Sequence, residues 1–214
     1  MGSHVQEMIH AAAENVPINI QKDDPAEVNE PPFSIRPLLK IYGLAFIGMV
    51  IFYLVPTQIP FYLTKLGVSG AQTGIAISAL TLMAAIASLQ YRRLRQLATA
   101  SSLFAPTFGL MAIGYVIIGV SNSYVLVMVG LLVAGAGLGL LQPNLATWLV
   151  PLVSAAGRGR AFGGLTTALF LGQFLSPIIF RPFNSDANAG NVYLIAVIPL
   201  LLLALLFFFY RDDR

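Results

Sequence analysis

The side chains that could do chemistry in the apolar part of this chain are neutral amides, hydroxyls and aromatic rings. Residues 31–185 contain no aspartate or glutamate, and the whole chain contains no cysteine. Both histidines, His4 and His10, precede the first apolar run. The apolar part therefore lacks the groups that form a nucleophile–base pair or bind a metal ion. We expect no enzyme, no metal site and no cofactor.

Eight polar or aromatic side chains stand out within the apolar part, because polar groups in a bilayer are costly and usually face the bundle interior or water. Gln142 lies about 200° around a helix from Asn144, so the two cannot face one cavity, and one of them is expected to hold helices together. For each amide the alternative is an interhelical hydrogen bond worth about 0.6 kcal/mol. The eight are Tyr53, Thr57, Gln58, Phe61, Gln142, Asn144, Trp148 and Gln173.

The elements that must position these side chains are membrane-spanning helices. The chain is 57% hydrophobic and 10% charged, whereas soluble domains carry about 25% charged residues. Six apolar runs are long enough to cross a bilayer, which takes roughly 20 residues. They are 38–63, 71–91, 103–120, 124–150, 161–182 and 192–210, and we expect bends at Pro56, Pro60 and Pro143.

The ends of the chain differ from its apolar part. Residues 1–37 begin with a stretch typical of an expression-vector remnant and continue as a polar cytoplasmic linker. Residues 38–210 form the six-span domain, and residues 211–214 are a cytoplasmic tail. The net charge of +3 does not indicate a nucleic-acid partner, because the basic residues are scattered between apolar runs.

Loop charges predict the orientation of the bundle. Ten of the twelve lysines and arginines fall on one side of a six-span arrangement, which the positive-inside rule assigns to the cytoplasm together with both termini. Arg92, Arg93, Arg95, Arg158 and Arg160 are also candidates for gating contacts. The alternative is that they are ordinary positive-inside residues at an anionic leaflet. We expect a multi-pass protein of a bacterial inner membrane.

Glycines and prolines cluster between residues 135 and 177, in GAGLGLLQPN, AAGRGRAFGG and LGQFLSP. Gly135 and Gly139 are four residues apart, a spacing that lets two helix backbones approach closely, whereas Gly137 lies off that face. We assign helix packing to Gly135, Gly139, Pro143, Gly163, Gly164, Gly172 and Pro177. A Gln–Pro helix precedes a Gly-rich helix start twice, three spans apart, which indicates two inverted three-helix repeats.

These motifs resemble the C-terminal six-helix half of a major facilitator superfamily transporter, in the style of the drug:proton antiporters, over about residues 38–210. The resemblance implies an all-α bundle of two inverted repeats, in which the first helix of each repeat lines a central cavity. The eight side chains above then become candidates for lining a substrate cavity. SLQYRRLRQ matches only the basic half of the family's loop signature, so a charge relay through the signature aspartate cannot operate here.

The resemblance implies secondary active transport by alternating access, with multidrug or small-molecule efflux and proton coupling in a twelve-span parent. The uncharged lining suits an amphipathic or lipophilic substrate. The coupling carboxylate would belong to the missing N-terminal half, so the isolated half is expected not to transport. One alternative is a complete six-span transporter that acts as a homodimer with a second copy of itself. Another is a membrane module that does not transport.

Overall fold

The computed structural model describes residues 35–183 and 190–209, and these residues form helices without any strand. The helices are α1 (Ile35–Phe52), α2 (Leu54–Lys65), α3 (Gly70–Leu97), α4 (Ala100–Val120), α5 (Tyr124–Leu149), α6 (Arg158–Phe180) and α7 (Asn191–Phe209). Short 3₁₀ turns follow α5 and α6 at Val150–Leu152 and Arg181–Phe183. Since α1 and α2 together make one span, six spans of membrane length result, and the predicted all-α six-span class is confirmed. The predicted tail 211–214, and all but the last three residues of the predicted segment 1–37, lie outside the described residues.

Most helices begin before the apolar runs that predicted them. The first begins at Ile35, and α4 begins at Ala100. For α3 and α4, polar residues before the helix explain the difference, because their side chains accept hydrogen bonds from the unpaired N–H groups of the first turn. Ser69 forms a capping box with Gln72, and the Thr99 hydroxyl accepts from Ser102 N. The apolar run therefore gives the membrane-embedded length of these two spans, while the helical hydrogen bonds extend back to the cap.

The first span is interrupted at Tyr53, three residues before Pro56. Proline lacks the N–H group that would bond the carbonyl four residues earlier, which is that of Phe52. The hydroxyl of Tyr115, on α4, lies 2.8 Å from Ile51 O and 3.3 Å from Phe52 O, so its proton is shared between the carbonyl that Pro56 leaves unpaired and the one before it. In contrast, α5 continues without interruption through Pro143.

The packing order relates the two halves of the bundle. The second span, α3, packs on α5, which is the first span of the second half. Correspondingly, the fifth span, α6, packs on α1 in the first half, and the third and last spans, α4 and α7, pack on each other. Exchanging spans one to three with spans four to six reproduces these three contacts, whereas the extensive contact between α4 and α5 has no equally extensive counterpart between the last and first spans. Because each half has an odd number of spans, the two repeats are inverted in the membrane.

Glycines allow the backbones of the central helices to approach closely. A Cβ atom on Gly139 would lie 2.1 Å from the Ala84 carbonyl oxygen of α3, and one on Gly135 would lie 2.5 Å from that of Leu80. Gly137 faces α4 instead, where a Cβ atom would come within 2.6 Å of Thr107 O. Helix α5 is thus held against two neighbours through two different glycine faces.

The spans differ sharply in how much of their surface the described part of the protein covers. In the apolar window of α3 and in that of α6, 17% of the residues are buried. The corresponding share is 56% for the first and fourth spans and 50% for the third. The second span of each repeat is therefore the uncovered one.

Candidate functional site

Asn144 is fully buried, and both of its polar groups are hydrogen-bonded. Tyr91 OH, near the end of α3, donates to Asn144 Oδ1 at 2.9 Å. Asn144 Nδ2 donates to the Ala100 carbonyl at the start of α4, also at 2.9 Å. The side chain therefore joins α5 to two other helices.

Gln142 lies in different surroundings, although it is only two residues away. It is exposed beside α3, in an open cavity of about 170 Å³ that Ser88 and Gly139 also line. The two amides thus differ in their access to a ligand: Gln142 is available at a surface, whereas Asn144 is enclosed.

The candidates of the first span lie around its interruption. Tyr53, Thr57 and Gln58 are half-buried, and Phe61 is 66% exposed. The Thr57 hydroxyl donates to the carbonyl of Tyr53, the residue between α1 and α2, at 2.7 Å. The hydroxyl proton of Thr57 is therefore already used in a hydrogen bond at the break between α1 and α2.

Gln173 and Trp148 are both half-buried, on different helices. Gln173 Nε2 lies 3.8 Å from the sulfur of Met49, where α6 crosses α1. The Trp148 ring packs at 5.3 Å from the Phe104 ring and 6.0 Å from the Phe207 ring, measured between centroids. Trp148 therefore belongs to an aromatic cluster of α4, α5 and α7.

The candidate side chains lie at different depths in the bundle. A Cβ atom on Gly48 would touch the Leu141 side chain, so residues 48 and 141 lie at a similar depth. Gln142 and Gln173 lie near this level, because Gln173 contacts Met49. Phe61 is 13 residues further along the first span, about 20 Å at the rise of a helix. The candidates do not form one compact site, and their assignment to a substrate cavity stays a prediction.

The five arginines proposed for gating are all exposed. Arg92, Arg93 and Arg95 lie at the end of α3, and Arg158 and Arg160 lie at the start of α6. These are the two uncovered spans, and all five arginines lie at the same end of the bundle. Arg95 Nη1 donates to Ala98 O at 3.0 Å.

The residues assigned to helix packing on α6 differ in their surroundings. A Cβ atom on Gly164 would meet the Tyr42 ring at 2.7 Å, and one on Gly172 would lie 2.5 Å from Phe46 O. Gly163, by contrast, is exposed, with nothing within 4 Å of such an atom. Pro177 is also exposed, whereas Pro143 on α5 is half-buried.

Sequence reasoning missed a cluster of three buried tyrosines, Tyr62, Tyr115 and Tyr193. The ring of Tyr193 is perpendicular to that of Tyr115 at 5.4 Å and lies 6.3 Å from that of Tyr62. Tyr193 OH donates to Leu54 O at 3.4 Å, and Tyr62 OH donates to Ser121 O. The available signal was a tyrosine inside an apolar run, because a buried hydroxyl needs an acceptor.

Six apolar spans in two inverted halves define a multi-pass integral membrane protein. Residues 41–214 match the family model of the Major Facilitator Superfamily, and the chain belongs to this family. It is a family of transporters rather than enzymes, in agreement with the expected class. No curated protein sequence matches the chain.

Solved structures share this fold. The crystal structure of a peptide transporter, POT, in complex with sulfate is similar with a TM-score of 0.65 and 19% identity, over 80% of this chain and 37% of that one. A mutant of the same transporter, also with sulfate, gives a TM-score of 0.65 and 19% identity, over 79% and 36%. At this identity the likeness concerns the fold, and the chain spans little more than a third of that transporter's length.

Proposed function

We propose that this chain forms one half of a secondary active transporter, which moves a small molecule by alternating access between two six-span bodies. The observation that carries the proposal is the low burial of α3 and α6, the second span of each repeat. Two helices with matching positions in the two repeats are uncovered on the same molecule. The chain belongs to a transporter family, and it covers only 37% of the peptide transporter. Both findings support a second body that packs against these two helices.

The residues on the uncovered side of α3 support contact with other helices. Small or hydroxyl-bearing residues recur there at helical spacing, and all of them are exposed: Ala71, Gly74, Ser78, Ala85 and Ser88. Such residues are enriched where transmembrane helices meet, because they let two backbones approach closely. We therefore assign this face to the missing N-terminal half.

The substrate class follows from the uncharged character of the spans. No carboxylate or imidazole is present in residues 35–183 or 190–209. Gln142 on α5 and Gln173 on α6 offer neutral hydrogen-bonding groups at similar depth. Neutral amides beside apolar walls suit an amphipathic or lipophilic molecule. We propose small-molecule or multidrug efflux, with the proton-coupling carboxylate in the other half.

We propose further that both termini are cytoplasmic and that the membrane is a bacterial inner membrane. Seven of the nine lysines and arginines in the described residues lie at the end of the bundle where α1 begins, which favours this orientation. Since the chain has no cysteine, single cysteines report topology cleanly. An impermeant maleimide should label Asn122→Cys in intact cells and Ala155→Cys only after lysis. The reverse pattern would contradict the orientation.

The partner assignment is tested by comparing nanodiscs that hold one copy or two copies of the chain. A nitroxide on Ser78→Cys reports the uncovered face of α3, and one on Ile113→Cys, exposed on α4, serves as the matched control. We expect equal oxygen accessibility at Ser78 in both kinds of disc, because a second copy is not the partner. Selective loss of accessibility at Ser78 in the two-copy discs would instead establish the homodimer.

A further inference from the structure

A polar cavity with two cationic side chains opens at the end of the bundle where α1 begins. Its volume is about 330 Å³, and its lining includes Lys40 of α1 and Arg95 of α3. Hydroxyl groups and one indole ring complete the polar wall: Thr99, Ser101, Thr147 and Trp148. The two cations can bind phosphate oxygens, whereas the Thr147 hydroxyl already donates to Pro143 O and the Thr99 hydroxyl accepts from Ser102 N.

An apolar groove of about 390 Å³ adjoins this cavity between α1 and α7. Leu39, Gly43 and Ile47 of α1 line one side, and Leu206 lines the other. Lys40 and Trp148 line both the cavity and the groove, so the two spaces meet at these side chains. The polar cavity is therefore continued by a surface suited to a hydrocarbon chain.

The positive charge of the cavity is not balanced by a carboxylate in the described part of the chain. Residues 35–183 and 190–209 contain no aspartate or glutamate. One N–H donor of Arg95 bonds Ala98 O at 3.0 Å, which fixes the guanidinium at the cavity wall. An anion bound in the cavity would offset these two charges, and charges that are partly buried are screened less by salt.

We propose that this composite space is a binding site for one anionic phospholipid, with its phosphate between Lys40 and Arg95 and an acyl chain in the groove between α1 and α7. A soluble anion would leave the groove uncovered, and a neutral lipophilic molecule would leave both cations unpaired. An anionic phospholipid matches both features, as basic pockets between transmembrane helices commonly do. The site faces lipid and does not depend on the proposed transport function.

Trp148 provides a direct test, because it is the only tryptophan of the chain and lines both spaces. Bromine atoms on an acyl chain quench tryptophan fluorescence at short range. The full chain is reconstituted in phosphatidylcholine vesicles with increasing fractions of brominated phosphatidylglycerol or brominated phosphatidylcholine. We expect phosphatidylglycerol to associate beside Trp148 about fivefold more strongly for each cation engaged.

Charge variants distinguish a built site from general surface attraction. In a Lys40→Gln and Arg95→Gln double variant, the preference for phosphatidylglycerol should fall to near one. Arg93→Gln removes the same kind of charge from an exposed residue about 200° around α3 from Arg95, outside either space, and should keep the preference. Lys40→Arg and Arg95→Lys retain the charges and should keep most of it.

Quenching by brominated phosphatidylcholine should be unchanged in every variant, which shows that the groove is still formed. Equal quenching by the two lipids in the unaltered protein would overturn the proposal. An equal loss of preference in Arg93→Gln would also overturn it, because bulk surface charge would then explain the binding.

Discussion

At the scale of single residues, polar side chains inside this bundle differ in whether their hydrogen bonds are already used. Asn144 has both polar groups bonded to other helices, whereas Gln142 is exposed at an open cavity. A buried amide whose partners are fixed contributes to stability, because its removal leaves those partners unsatisfied. An exposed amide has no such role and remains available to a ligand.

Replacing Asn144 by alanine should therefore lower stability, while the same change at Gln142 should not. We expect Asn144→Ala to reduce the free energy of unfolding by about 1–3 kcal/mol, since Tyr91 OH and Ala100 O lose a buried partner. Gln142→Ala should stay within about 0.5 kcal/mol of the unaltered protein. Denaturation in mixed detergent micelles measures both values, and equal values would contradict the assignment of roles.

Asn144 also shows how far the sequence predicts the candidate site. Helix geometry predicted that Gln142 and Asn144 point in different directions, but it could not tell which of the two is enclosed. The partners of Asn144 are Tyr91 and Ala100, 53 and 44 positions away. Such pairings depend on the helix arrangement, and no local spacing reveals them.

At the scale of helices, the contact between α3 and α5 depends on the absence of side chains. Gly139 and Gly135 lie against backbone carbonyls of α3, which cannot move aside as the end of a flexible side chain can. Close backbone approach replaces the hydrophobic driving force that is missing between helices in lipid. The glycine spacing in the sequence thus has a structural cause that is separate from any ligand.

Gly139→Ala should separate α3 from α5 and lower the free energy of unfolding by about 1–3 kcal/mol, the usual cost of overpacking. Gly163→Ala is the matched control on α6, because nothing lies within 4 Å of an added Cβ atom there. It should be neutral or stabilise the helix by up to about 1 kcal/mol. Thermal unfolding in detergent checks both, and a tolerated alanine at residue 139 would refute the close contact.

A second feature at this scale is the bend of the first span, where a side chain of α4 forms hydrogen bonds to the backbone. Tyr115 OH donates to the carbonyls of Ile51 and Phe52. The Phe52 carbonyl is the one that an N–H group at residue 56 would bond, and Pro56 has no such group. If the hydroxyl replaces that donor, the two residues are energetically coupled. An N–H restored at residue 56 would compete for the same carbonyl.

A double-mutant cycle measures this coupling. Tyr115→Phe alone should cost about 1 kcal/mol, because the carbonyls of Ile51 and Phe52 lose the hydroxyl donor that they share. In the Pro56→Ala background the same change should cost less, with a coupling energy of at least about 0.5 kcal/mol. Additive effects of the two substitutions would contradict the proposed replacement of the donor.

At the scale of the whole molecule, the span count and the all-α class were predictable because bilayer thickness sets the length of each apolar run. The burial of each span was not predictable in this way. Helices α1 and α3 are both apolar, yet the first span is largely buried and α3 is not. The sequence did carry a signal of degree, because the two least buried spans, α3 and α6, have the lowest mean hydropathy of the six.

Two properties of the whole molecule bear on its function: the second span of each repeat is uncovered, and the described residues contain no carboxylate or imidazole. The first supports the proposal that a second body completes the cavity. The second supports the proposal that the proton-coupling group lies outside the described spans, because coupling requires a side chain whose protonation changes between conformational states. Both lead to the same expectation for the isolated chain.

Transport by proteoliposomes that contain only this chain tests that expectation most directly. A pH gradient of either direction is imposed, the flux of a fluorescent lipophilic cation such as ethidium is followed, and circular dichroism verifies the helical fold in the same vesicles. We predict a flux no higher than that of protein-free liposomes in both directions. A saturable flux that disappears when the gradient is collapsed would show that the chain is a complete transporter and would contradict the account.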